Sequence, residues 1–156
     1  MADQRIDEID LDERSFGLRS PEADHERKLA ILELLEDNHF APEGLPSGPY
    51  RLHLGLEESR LTLDITARPD GRNKRVQLAM SPFRKIIREY FVICDSYYTA
   101  VRTAAPAQIE AIDMGRRALH NEGAALLRER LADKVDMDAD TARRLFTLIC
   151  VLHLRV

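Results

Sequence analysis

The residue types best suited to chemistry are concentrated in the segment Asp113-Met-Gly-Arg-Arg-Ala-Leu-His-Asn-Glu122. On a helix, Asp113, Arg117 and His120 fall on one narrow stripe, because residues three and four apart share a face. An acid can orient an imidazole as a general base, and a guanidinium beside it can hold an anion. The segment therefore predicts a site. Its candidates are Asp113 and His120 for catalysis, and Arg116, Arg117 and Asn121 for ligand binding.

The same spacing also fits a structural role, since an Asp113–Arg117 pair at i and i+4 can stabilise a helix without any ligand. The segment matches no mechanism-specific motif. The sequence has no glycine-rich phosphate loop, dinucleotide fingerprint, Cys-x-x-Cys or His-Glu-x-x-His signature. The histidines are scattered at positions 25, 39, 53, 120 and 153. We therefore expect neither a metal site nor a cofactor.

A second candidate is a basic run between Asp70 and Glu89 that contains no acid. Its cations are Arg72, Lys74, Arg75, Arg84, Lys85 and Arg88. A helix is expected to begin at Ser81-Pro82, and its first-turn amides, with Arg84 and Arg88, would favour a phosphate or carboxylate. A solvated surface is the alternative interpretation. Nucleic acid is not an expected partner, because the nearby aromatic residues lie on a stripe expected to be buried.

A third candidate is Arg102, which shares a helix face with Asp95 seven residues before it and is added to the ligand-binding set. Tyr97 and Tyr98 are expected to anchor packing, with each hydroxyl at the rim of the core.

Hydrophobic periodicity predicts the elements that must position these residues. Apolar and polar residues alternate over residues 50–54, 61–65 and 76–80, which is typical of an antiparallel meander with one buried face. Residues 4–11 are a candidate edge strand. Ser20-Pro21 predicts the start of a helix that runs to about Asn38. The residues expected to be buried on that helix are Leu29, Ile31, Leu32 and Leu35.

The second half of the chain is predicted to be helical. One helix follows Ser81-Pro82, with an apolar stripe from Phe83 to Val101 at 3.6-residue spacing. Pro106 opens the next helix, and Asn121-Glu122-Gly123 are expected to interrupt it. A final apolar helix starts near Asp138. The small residues expected to pack closely on the second of these helices are Ala107, Ala111, Gly115 and Ala118. The predicted fold is α+β, with a three- or four-stranded antiparallel sheet and a helical layer.

Composition bounds the class of protein. The 156 residues fit a single domain spanning 1–156, and 44% apolar with 32% charged residues is typical of a globular protein. No apolar run reaches the ~18 residues of a spanning helix, so no membrane association is expected. The polar N-terminus resembles no signal peptide, so the expected location is the cytoplasm. Cys94 and Cys150 are expected to be buried free thiols.

Charge is divided unevenly along the chain. Residues 1–70 carry 8 Lys/Arg against 17 Asp/Glu, whereas residues 71–156 carry 15 against 10. Such asymmetry favours a self-complementary oligomer or an anion-binding face, unless folding mixes the two halves.

The block from Ser81 to Gly123, SPFRKIIREYFVICDSYYTAVRTAAPAQIEAIDMGRRALHNEG, resembles the core of a small uncharacterised protein family of alphaproteobacteria. The segments HERKLAILELLEDNHFAP, GPYRLHL and DTARRLFTLICVLHLR extend the resemblance over most of the chain. Ala118 and Ala107 stand where Gly and Ser are common in the family, and both keep a small side chain. The resemblance implies a bacterial, cytoplasmic protein and carries no activity, cofactor or partner.

Two functional interpretations follow. The first is a non-catalytic binding or regulatory module that acts through protein partners or as a homo-oligomer, with the apolar C-terminal helix as a dimer seam. The second is a small enzyme or binding protein for a phosphorylated or otherwise anionic metabolite. In the second, His120 would be the acid or base, Asp113 would orient it, and arginines would hold the anion.

Overall fold

A computed structural model describes residues 3–12 and 21–153 of the chain. Within these residues, four strands form a sheet in the order β1-β3-β4-β5, and the second half of the chain is mainly helical. The predicted α+β class is confirmed. The elements in chain order are β1 (Ile6–Leu11), α1 (Pro21–Glu36), β2 (Phe40–Pro42), β3 (Tyr50–Glu57), β4 (Arg60–Ala67), β5 (Asn73–Ala79), a short 3₁₀ turn (Ser81–Phe83), α2 (Arg84–Thr103), α3 (Pro106–Leu131), β6 (Val135–Met137) and α4 (Ala139–Leu152).

The antiparallel meander of β3, β4 and β5 is the element that the sequence predicts most directly. Leu52 pairs with Ile65, and Leu63 pairs with Val76. These four side chains are buried, whereas the residues between them stay partly or fully exposed. Alternation with period two therefore places one face of the sheet on the core, as predicted.

The sheet departs from the prediction at its first strand, because β1 lies parallel to β3. A parallel pair needs a long crossover connection, and α1 provides it between the two strands. A second, two-stranded sheet joins β2 to β6, with Phe40 opposite Met137. These strands have three residues each, too few to show a periodicity in the sequence.

Helix α4 lies at the centre of the helical layer and contacts both α1 and α3. Asp138 caps its N-terminus by accepting a hydrogen bond from the Thr141 amide at 2.9 Å. Its apolar residues from Leu145 to Leu152 are already buried within the chain. The expectation that this helix supplies a dimer seam is therefore wrong, since it has no exposed apolar stripe to offer.

Helix α1 buries a different face from the one predicted. Ala30 and Leu34 meet the core, and the predicted Ile31 packs against it partly buried, whereas Leu29, Leu32 and Leu35 are exposed. The prediction failed because residues 29–35 are apolar around the whole helix, so the sequence defines no unique stripe. The side that contacts β1 and α4 is chosen by tertiary packing.

Helix α3 is continuous over 26 residues, so the expected interruption at Asn121-Glu122-Gly123 is wrong. Gly123 is instead buried against the ring of Phe146 in α4. The predicted small-residue face is also mostly wrong, because Gly115 meets Ile93 of α2 whereas its companions point outward. Those exposed companions are Ala107, Ala111 and Ala118. Cys94 and Cys150 are free and buried, as expected.

Candidate functional site

A cleft of about 510 Å³ opens between α1, α3 and α4. Its size lies within the ~300–1,000 Å³ of small-molecule sites. The residues that line it are Glu26, Leu29, Ala30 and Glu33 of α1, Tyr90 of α2, Arg116, Arg117, His120 and Asn121 of α3, and Asp140, Arg143, Arg144 and Thr147 of α4. Four of the eight residues predicted for a site, namely Arg116, Arg117, His120 and Asn121, thus share one cavity.

His120 occupies the inner wall of the cleft, between two aromatic rings. Its centroid lies 5.5 Å from that of Tyr90 and 5.6 Å from that of Phe146. Burial, reinforced by the positive charges of Arg143 and Arg116, lowers the pKa of His120 to about 4. The imidazole is therefore neutral at pH 7.

The neutral ring is oriented by Thr147, and not by Asp113. The Thr147 hydroxyl donates to the Arg143 carbonyl oxygen at 3.2 Å, so a lone pair on the hydroxyl oxygen can accept from Nε2 of His120 at 2.7 Å. The orienting role that the sequence suggested for Asp113 belongs in the structure to a hydroxyl of α4.

Asp113 instead holds two arginines of its own helix. Its Oδ1 accepts from Nη2 of Arg116 at 2.7 Å, and its Oδ2 lies 2.9 Å from Nη2 of Arg117. Asp113 is mostly buried, whereas 75% of the Arg117 side chain is exposed. The predicted i,i+4 pair is therefore present, and it fixes the position of a guanidinium at the cleft.

Arg116 connects α3 to two other helices. Its guanidinium lies over the Tyr97 ring, 4.3 Å from the centroid, and its Nη1 lies 3.7 Å from Oε1 of Glu26. Tyr98 donates its hydroxyl proton to the same Glu26 oxygen at 2.6 Å. Burial, followed by this hydrogen bond to a carboxylate, raises the pKa of Tyr98. Tyr98 thus places its hydroxyl at the rim of the core as expected, whereas the contact of Tyr97 is made by the face of its ring.

The opposite side of the cleft carries two arginines of α4. Nε of Arg144 lies 3.5 Å from Oε2 of Glu33 in α1, which joins the two helices across the cleft. Nη2 of Arg143 lies 3.1 Å from Oδ1 of Asp140, and 46% of the Arg143 side chain is exposed. Arg117 and Arg143 are thus guanidinium groups that reach the cleft from two different helices while remaining open to solvent.

The other predicted ligand-binding residues do not join this cavity. Arg84, Arg88 and Arg102 are absent from its lining. Arg84 donates to the Ser59 hydroxyl oxygen at 3.3 Å, next to the sheet. Arg102 lies in the last turn of α2, at the other end of that helix. The basic run is therefore a separate surface from the cleft.

Several cleft residues were not among those predicted from the sequence. Glu26, Tyr90, Arg143 and Thr147 come from three helices, and their convergence depends on how those helices pack. The Arg143-Arg144 pair could have been used to predict a surface site, because two adjacent cations near the start of an apolar helix must lie outside the core.

Across the residues that the structure describes, no group of three or more histidine, cysteine, aspartate or glutamate side chains is arranged to hold a metal ion. In the same residues, no helix combines the length and apolar character needed to cross a bilayer.

Comparison with known proteins identifies the family. Residues 3–155 match the model of the uncharacterised protein family UPF0262. The chain belongs to the UPF0262 family. It is 60% identical over 153 residues to a UPF0262 protein of Rhodospirillum rubrum, a match that covers 98% of this chain and 94% of that protein. It is 59% identical over 152 residues to a UPF0262 protein of Azorhizobium caulinodans, with 96% and 93% covered.

A UPF0262 protein of Caulobacter vibrioides is 54% identical over 154 residues, covering 99% of this chain and 96% of its own length. The relatives are alphaproteobacterial, so the resemblance noted from the sequence is confirmed. No solved structure matches the chain.

Proposed function

We propose that the protein is a non-catalytic binding module whose cleft takes a small molecule carrying a phosphate or carboxylate group. The observation that carries the proposal is the approach of Arg117 from α3 and Arg143 from α4 to one cavity of ligand size. A guanidinium has five N–H donors, and each of these arginines has one carboxylate contact among the ion pairs described. Donors therefore remain for an anion.

The existing ion pairs favour exchange with a ligand. The Arg143–Asp140 pair is exposed to water on both sides, and such pairs contribute only about 0–1 kcal/mol. A phosphate or carboxylate that contacts both arginines would gain charge-assisted hydrogen bonds from two helices at once. The neutral His120 and Tyr90 would then contact the uncharged part of the ligand.

Binding fits the geometry better than catalysis. A general base works best when its pKa lies near the working pH, and a His120 pKa of about 4 leaves a weak base at pH 7. Asp113, the other catalytic candidate, is engaged by Arg116 and Arg117. Both residues are therefore assigned to shaping the cleft.

A thermal-shift screen tests the proposal, with inorganic phosphate, pyrophosphate, sugar phosphates, nucleotides and citrate as probes. A probe at 100 times its dissociation constant stabilises the folded state by about 2.7 kcal/mol, which raises the melting temperature by several degrees. We expect Arg143→Ala to reduce this shift. Arg88→Ala, which removes an exposed arginine outside the cleft, is the matched control and should preserve it. No shift with any probe, or an equal loss in both variants, would refute the proposal.

A further inference from the structure

The solvent-facing side of α1 has the character of an interface. Six of the seven residues from 29 to 35 are apolar, so the helix is apolar on every side in this region. Its inner side packs on the core, yet Leu29, Leu32 and Leu35 face outward, and Leu32 is 61% exposed. A helix that is apolar all round is typical of one buried on both sides.

We infer that α1 of a second copy of this chain covers this face, in an antiparallel pair around a two-fold axis at Leu32. We call the face the α1 seam and define it by Lys28, Leu29, Leu32, Leu35 and Glu36. Leu29 and Leu35 each lie three residues from Leu32, and Lys28 and Glu36 each lie four residues from it, so all five share one face of the helix. A two-fold interface joins the same patch on both copies, so the patch must be self-complementary.

The charges of the α1 seam satisfy that requirement. Lys28 precedes Leu32 by four residues and Glu36 follows it by four, on the same face of the helix. In the antiparallel pair, Lys28 lies opposite Glu36 of the partner subunit, and the contact occurs twice. A parallel pair would set like charges opposite each other. The ion pairs found among the described residues use neither Lys28 nor Glu36, so both are available for this contact.

Among the residues that define the α1 seam, Leu29 also lines the cleft. Lys28, Leu32 and Glu36 do not line the cleft, so changes at these positions leave the arginines in place.

Sedimentation equilibrium of the 156-residue chain measures the molecular mass in solution and so tests whether the dimer forms. We expect the 17.8 kDa chain to form a dimer that is populated at micromolar protein concentration. Leu32→Glu sets two carboxylates on the two-fold axis and should raise the dissociation constant roughly tenfold or more. Val92→Glu on α2, at a residue that is 63% exposed, is the matched control and should not change it.

A charge exchange then tests the register. Lys28→Glu and Glu36→Lys should each weaken the dimer by about three- to tenfold, because each creates two like-charge contacts. The double variant restores opposite charges and should recover most of the affinity. A wild-type protein that remains a 17.8 kDa monomer at every concentration overturns the inference. So does a Leu32→Glu dimer of unchanged affinity, or a double variant weaker than either single one.

Discussion

At the scale of single residues, His120 is the most informative side chain, because its chemistry is set by burial. The imidazole lies between Tyr90 and Phe146 and bonds to Thr147, so protonation would place a charge in a poorly hydrated position beside arginines. The sequence predicted that His120 faces the same way as Arg117. It did not predict the aromatic surroundings, which come from α2 and α4.

This burial makes stability depend on pH. The pKa of His120 is lowered from 6.5 to about 4 on folding, so between these values the unfolded chain binds a proton that the folded chain does not. The contribution is complete above about pH 6.5 and is lost as the pH falls toward 4. We expect the free energy of unfolding to fall by about 2 kcal/mol from this group between pH 7 and pH 5, measured by urea denaturation.

His120→Gln is the control for this prediction, since glutamine does not titrate. Titration of the carboxylates changes the stability of both proteins alike. The variant should therefore lose less stability than the wild type between pH 7 and pH 5. An equal loss in the two proteins would show that His120 is not the group responsible.

At the scale of elements, α3 shows where local sequence signals mislead. Its two interior glycines predicted a packing face and an interruption, and the structure uses them for contacts with different neighbours. A Cβ on Gly123 would lie 2.2 Å from Cζ of Phe146, a rigid ring in the core, whereas one on Gly115 would lie 2.7 Å from Cδ1 of Ile93, the end of a flexible side chain.

The two glycines should therefore respond differently to alanine. Gly123→Ala forces Phe146 to move and should destabilise the protein by about 1–3 kcal/mol. Gly115→Ala gains up to ~1 kcal/mol of helix propensity against a small adjustment of Ile93, so its net effect should be close to zero. Thermal denaturation of the two variants measures the difference, and equal destabilisation would contradict the packing described for α4 against α3.

Strands and helices differ in how well the sequence predicted them. The meander was predictable because alternation with period two defines a buried face uniquely. The buried face of α1 was not, since an apolar run around a helix is compatible with several orientations. The cleft depends on such orientations for three helices, so its α3 residues were predictable as a group and their partners on α1 and α4 were not.

At the scale of the whole molecule, the uneven charge of the sequence is partly neutralised by folding. Acids of the first half meet arginines of the second in the pairs Glu26–Arg116 and Glu33–Arg144. Both pairs bridge α1 to the C-terminal helices beside the cleft. The asymmetry therefore reflects contacts within one chain as well as any contact between chains.

Glu26 should be the more important of these acids, because it also accepts from Tyr98. Glu26→Ala leaves that hydroxyl without its partner and should lower the free energy of unfolding by about 1–3 kcal/mol. Glu110→Ala, at an exposed position of α3, should change it by no more than ~0.5 kcal/mol. Chemical denaturation of both variants makes the comparison, and a Glu26→Ala value as small as the control would refute this role.

We propose that anions bind to the protein in the cleft between α1, α3 and α4. An NMR titration of the ¹⁵N-labelled protein with inorganic pyrophosphate tests it most directly, because amide shifts report where the anion lies. We predict saturable shifts that concentrate at residues 116–121 of α3 and 143–147 of α4. Shifts centred instead on residues 81–88, at the basic start of α2, or the lack of any saturable shift, would show that the cleft is not the anion site.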